Sequence, residues 1–311
     1  MSISMLSAAQ ISTLSVTAIQ SLTTTDIASL NATQIGAINT TDIAALTSTQ
    51  VGAITSAQAK GLTATQIPFF QSSVIFDTTQ LAVFSGAQAG ALTSTQLSNL
   101  DTTHLGSLSS AALGGLTSAN FSSLDSTQVQ SLSGAQLKGL SANQLGGLST
   151  TDVGEFTSTQ IGQLSATQLN ALTTTDAAAL TTTQLSGLTS TQVGQLSSAN
   201  LSALTSTQVG SLSTTQTAGL TANQIKGLST TDFGDFSTTQ VAAFSSAQLG
   251  ALSSDNLSSL NSTVVQTLSS TQLGGLAATQ FKGLSAADVG EFTSTQIGQL
   301  TSAQLGGLST T

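Results

Sequence analysis

A large apolar residue returns every eighth position along almost the whole chain, and no ordinary globular pattern does this. The register runs from Leu6 to Phe70, is cut by a single six-residue unit, and resumes from Phe76 to Leu308. Eight octads fill 6–69, the short unit fills 70–75, and 29 octads fill 76–307. Position 1 is Leu, Ile or Phe in all 37 octads, and position 2 is Ser, Thr, Asn or Asp in 36 of them, Ala277 being the exception. Position 5 is Gln in 24 octads, Asp in 6 and Asn in 3, and position 6 is again large and apolar in nearly every octad. Composition does not shift along the chain. Length alone would suggest two domains, but the repeat predicts a single octapeptide-repeat solenoid over 1–311 with a register break at 70–75.

The spacing decides between backbones. In a continuous α-helix eight residues advance by about 800°, so the apolar pair would drift by about 80° per octad and leave no stable face. In a flat strand positions 1 and 6 would point to opposite sides. A short helix restarted in every octad fits. With position 2 as N-cap, its side chain accepts from the N–H of position 5, whose Gln or Asp reaches back to the N-cap N–H, while positions 1 and 6 form a hydrophobic staple. Glycines at positions 7 and 8, such as Gly154 and Gly250, are expected to let the chain leave the helix. The expected fold class is an all-α repeat solenoid, a superhelix of very short helices, one per octapeptide, capped by Ser/Thr-x-x-Gln boxes. The alternative is a β-solenoid, which the abundance of Thr, Val and Ile favours. One octad cannot offset its own ordering entropy, so either fold needs stacked neighbours.

The departures from consensus also recur. Asp152-Val-Gly154-Glu155-Phe156 returns as Asp232-Phe-Gly234-Asp235-Phe236 and as Asp288-Val-Gly290-Glu291-Phe292. Asp101, Asp125, Asp152 and Asp176 lie in octads spaced by three. Such intervals suit either stacking with roughly 3.4 octads per turn or the duplication of long blocks. At the short unit Pro68, Phe69, Phe70, Ile75 and Phe76 crowd together, and Pro68 is expected to bias Ile67 away from helix and offset the superhelix.

Chemistry is sparse. Only 5% of residues are charged, with four Lys/Arg against 13 Asp/Glu, so there is no basic surface for nucleic acid. Cys is absent, which removes disulfides, thiolate chemistry and Cys-ligated metals. His104, the only imidazole, sits at position 5 and reads as a substituted capping residue facing solvent, and no motif supplies a catalytic triad around it. The position-5 aspartates read as acids favoured by the helix dipole rather than metal ligands. No enzyme, cofactor or metal site is expected. Lys60, Lys138, Lys226 and Lys282 all occupy position 7, and Lys226 and Lys282 are followed nine residues on by Asp235 and Glu291, a weak contact between neighbouring octads. No apolar stretch is long enough to span a membrane.

Tandem octads of the form Leu-Thr-x-x-Gln-Ile/Val-x-Ala/Gly resemble those of large repetitive bacterial proteins described as secreted, adhesin-like or surface proteins. The opening Met1-Ser-Ile-Ser-Met-Leu-Ser-Ala-Ala-Gln is similar to the starts of some of them. In such relatives Pro and Glu often stand at positions 3 and 5; here Ser/Thr and Gln replace them. The resemblance implies an extracellular or cell-surface structural role and carries over no site residues. The reading that follows is a self-assembling structural protein, a head-to-tail homopolymer forming a surface filament, sheath or matrix fibre, exported without a cleaved N-terminal signal. Its partners would be further copies of itself and components of the cell surface or matrix. The alternative is an adhesin stalk, or an ice- or surface-binding module with a Thr-rich face. Repeats that run to both ends without a polar capping unit place the expected joint at Ile3, Leu6, Ile11, Val289, Phe292, Ile297, Leu305 and Leu308.

Overall fold

A computed structural model describes residues 3–308. They fall into two compact units, divided between Phe156 and Thr157, and the same architecture is built within each. The described residues hold 36 α-helices of four to six residues, two 3-10 turns and no strand. Every octad carries one helix, except 62–69, which carries the 3-10 turn Ile67–Phe69. The protein is an all-α solenoid of short helices, and the β-solenoid is set aside.

The octad starting at Leu204 shows why the sequence folds this way. Thr205 is extended (φ −71°, ψ 159°), and its Oγ1 accepts from the N–H of Gln208 at 3.3 Å. Gln208 Oε1 in turn accepts from the N–H of Thr205 at 2.7 Å, closing the capping box at the start of helix Ser206–Ser211. At Ala277 only the Gln280 half of the box stands (2.6 Å), because alanine has no acceptor to offer.

Helix exit differs from expectation. No described residue, glycine included, has positive φ. The chain leaves through two successive extended residues instead: Leu212 (φ −64°, ψ 134°) closes the last turn and Ser213 (φ −68°, ψ 158°) caps the next helix. The glycines serve packing. A Cβ on Gly115 would lie within 3 Å of the backbone of Gly86, and one on Gly187 within 3 Å of the backbone of Ser158. Glycine is selected there because two turns of main chain touch. Gly154 has nothing around it.

Turns stack. Within each unit helices pack against those three octads on, as Gly86–Gly90 does with Ser110–Leu113 and Ser158–Ile161 does with Thr182–Ser186. Side chains at positions 1 and 6 fill the space between, with Leu204 and Val209 both buried. Burying each such side chain is worth about 1.5–3 kcal/mol.

At the short unit the core continues through Phe70, Val74 and Phe76, all buried. Phe76 meets Phe70 edge-on at 4.8 Å and Phe84 at 5.0 Å. Phe69 and Ile75 are left exposed. Pro68 does keep Ile67 out of an α-helix: 62–69 is the one octad without one. Ile67 opens the 3-10 turn with Pro68 in its first turn, where a missing N–H costs nothing.

Candidate functional site

The feature that unites the turns is a ladder of glutamine amides. Each position-5 Gln uses Oε1 for its own capping box, which leaves both Nε2 protons free to reach the turn below. Gln216 donates to the carbonyls of Leu185 (2.8 Å) and Leu188 (2.9 Å), residues 31 and 28 positions earlier. Gln208, Gln224, Gln240, Gln248 and Gln280 repeat the same pair of offsets. One acceptor lies four octads back at position 6 and the other three octads back at position 1, so a superhelical turn takes between three and four octads. In the other unit Gln50 and Gln58 do the same. The ladder also survives the short unit. Gln80, Gln88 and Gln96 reach the equivalent carbonyls at offsets of 29 and 26, two residues less. These amides are buried, and each bonds three main-chain groups, of which the position-6 carbonyl also accepts the N–H three residues on.

Substitutions at position 5 lose definite parts of this arrangement. Asn is one methylene shorter. Asn200 still donates to Leu172 O (3.1 Å), and Asn256 to Leu228 O (3.0 Å), but neither reaches back to its N-cap N–H. The buried Asn256 Oδ1 is left without a partner. Asp keeps the box everywhere except at Asp42 and cannot donate downward. Asp152 instead accepts from Ser122 Oγ on the turn below (2.9 Å), and Asp288 from Ser258 Oγ (2.8 Å). Asp42 is buried and bonded by Asn39 Nδ2, and burial pushes its carboxyl above the ordinary aspartate range. Burial, and then the charges of Asp152 and Asp125, push the Glu155 carboxyl up, so Asp125, three octads before Asp152, acts on Glu155 from the turn below.

His104 is half-buried, with Nδ1 2.7 Å from Asp101 Oδ1, which also accepts the His104 N–H at 2.8 Å. Asp101 caps this helix start, and the imidazole bonds to that carboxylate rather than to the N-cap N–H. Among the described residues no lysine pairs with a carboxylate, so neither Lys226 with Asp235 nor Lys282 with Glu291 does. Among the same residues no group of three or more His, Asp or Glu side chains is placed to hold a metal ion. No helix there is long and apolar enough to cross a membrane.

The residues expected at a joint divide by position. Position 6 is buried in every octad until Val289 and Ile297, which are half-buried, and Leu305, which is 43% exposed. Position 1 behaves in the opposite way: Leu6 and its successors Leu14 and Leu22 are half-buried, whereas Leu30 and those that follow are covered almost throughout. Ile3 and Leu308 are half-buried, while Ile11 and Phe292 belong to the core. The low-numbered face thus offers position 1 and the high-numbered face offers position 6. The signal for the ladder lay in the sequence unread: at position 5 Gln is frequent and Glu never occurs, although Glu would cap equally well.

The profile of the ALTTAQ repeat matches residues 35–71 and 225–262. Within the first match Ala45-Leu-Thr-Ser-Thr-Gln50 runs from position 8 of one octad to the ladder glutamine of the next. A comparison with curated proteins finds no match. The chain is a repeat protein, similar in these two segments to ALTTAQ repeats.

Proposed function

We propose that this chain is a structural protein that polymerises head to tail into an extracellular filament, sheath or matrix fibre. The observation that carries the reading is the direction of the ladder. In each unit the ladder glutamines donate amide protons to lower-numbered carbonyls, and their turns present carbonyls to higher-numbered amides. A turn is therefore an adhesive unit with two different, complementary faces. Contacts between unlike faces propagate openly unless they close into a ring. The half-buried Leu6, Leu14 and Leu22 on one face and Val289, Ile297 and Leu305 on the other supply the apolar part of such a joint. Low charge offers little repulsion between copies.

A second reading, an unpolymerised stalk or surface-binding module, has its own support. Position 5 in the second and third octads is Ala18 and Asp26, which have no amide protons to donate. Exposed Ser and Thr at positions 2–4 line the outside, as at Thr181, Thr182 and Thr183.

Electron microscopy and light scattering on the purified chain separate the two. Fibres that lengthen with concentration are expected, and Leu14→Lys together with Ile297→Lys should hold the protein as folded monomers. A wild-type chain that stays monomeric at high concentration removes the polymer reading in favour of the stalk.

A further inference from the structure

The ladder has one vacancy with a cavity in it. Position 5 of the octad starting at Leu260 is Val264, which has no amide. By the offsets of 31 and 28 that hold around it, the carbonyls left without an amide donor are those of Phe233 and Phe236. The N–H of Asn261, the N-cap residue, likewise loses the acceptor that Gln would supply, and the helix Ser262–Val265 has no capping box. At this place lies a cavity of about 100 Å³, lined by Phe233, Phe236, Thr238, Asn261 and Val264 among others. It occupies the space into which a glutamine side chain projects in the regular octads.

We infer that this cavity is a binding site for a primary carboxamide group. Three main-chain groups define the ligand: the Phe233 carbonyl, which accepts only the N–H of Phe236 (3.1 Å) and keeps a second lone pair as position-6 carbonyls do throughout the ladder, the Phe236 carbonyl, and the Asn261 N–H. A –CONH₂ group meets all three with its two protons and its oxygen, in the arrangement that Gln240 makes with Val209 O (2.8 Å), Leu212 O (2.7 Å) and Ser237 N (2.7 Å). An alkylammonium ion satisfies the carbonyls and leaves the Asn261 N–H unmet; a carboxylate does the reverse and sets its charge against two carbonyls. A ligand that leaves one of these groups without its bond binds less well, and this selects the amide over its isosteres. The phenylalanines at 233 and 236, with ring centroids 6.3 Å apart, give the alkyl side of the ligand an apolar wall.

Acetamide is the probe, because it replaces the part of a glutamine side chain that valine lacks. The chain is labelled with ¹⁵N-asparagine, and the Asn261 amide resonance is followed during titration with acetamide, methylammonium and acetate in turn. Acetamide is expected to shift Asn261 saturably, with the N-cap amides Asn31 and Asn39 unmoved and the two ions at least tenfold weaker. Val264→Gln fills the site from within, so Asn261 should start at its bound position and no longer titrate, whereas Val264→Ala keeps the response. A shift that grows linearly without saturating, or that persists in Val264→Gln, overturns the inference. So does equal binding of methylammonium, which would make the cavity a cation site.

Discussion

Two stretches of the solenoid reach the same stacking by different means. Over 204–227 the ladder is complete, with Gln208, Gln216 and Gln224 in consecutive octads each donating two bonds to the turn below. Over 100–123 the corresponding residues are His104, Ala112 and Asn120, and of these only Asn120 donates downward, to Leu92 O (2.7 Å) and weakly to Gly90 O. Beneath this gap lie the edge-on rings of Phe76 and Phe84 and the close backbone contact of Gly86 with Gly115. A second aromatic group, Phe233, Phe236 and Phe244, lies beneath the gap at Val264. Turns are thus held by polar rungs, by ring packing and by close backbone contact; the last occurs in both stretches, as Gly219 against Ser190 shows in the complete one, while the aromatic groups lie beneath the gaps. The sequence drifts at position 5 without losing its fold because stacking does not depend on one kind of contact.

Breaking the complete stretch should have the largest effect. Gln216→Glu keeps the capping box, removes both downward donors and sets a buried charge against two carbonyls. An uncompensated buried charge costs about 3–5 kcal/mol. Hydrogen exchange should show lost protection around Leu185, Leu188 and Thr214–Thr217 while distant octads hold, since stability in such an array is local. Burial raises the folded-state pKa of this glutamate, so protection should return as pH falls through that value.

An intermediate effect is expected in the incomplete stretch. Gly115→Ala drives a methyl group into the Gly86 backbone, and overpacking of this kind costs about 1–3 kcal/mol. If close backbone contact stands in for missing rungs, urea unfolding followed there should show the loss. The same change at Gly154, where nothing lies within 4 Å, should be neutral or stabilising.

The smallest effect is electrostatic. The backbone N–H of His104, and then its ring, hold the Asp101 carboxyl below the usual aspartate range. A depressed carboxylate stabilises the fold above its unfolded pKa, and that contribution disappears as pH falls through the folded value. Exchange protection in Thr102–Ser107 should therefore weaken below about pH 4. Asp101→Asn should cap almost as well and abolish the dependence.

Much of this fold was legible because its signals are local. Capping boxes and staples are written within four or five residues, so one helix per octad followed from Thr205, Gln208 and Val209. What could not be read locally was the second half of each glutamine's work, because its acceptors lie 28 and 31 residues away. Gly115 was misjudged for a similar reason: its constraint comes from Gly86 on another turn, not from its own torsion angle. Ile11 looked like an end-face residue by position, yet higher-numbered octads cover it completely.

The ladder also sets an order of events during synthesis. Because each amide points toward residues about thirty positions earlier, a newly made octad finds its acceptors already outside the ribosome. The newest turn can settle on a finished template without waiting for distant sequence, since the ladder contacts described above span 26 to 31 residues. Short loops close quickly and at small entropic cost. Adding octads would lengthen the folding time roughly in proportion while leaving the hardest single step unchanged. Such a chain can grow by gene duplication without becoming harder to fold.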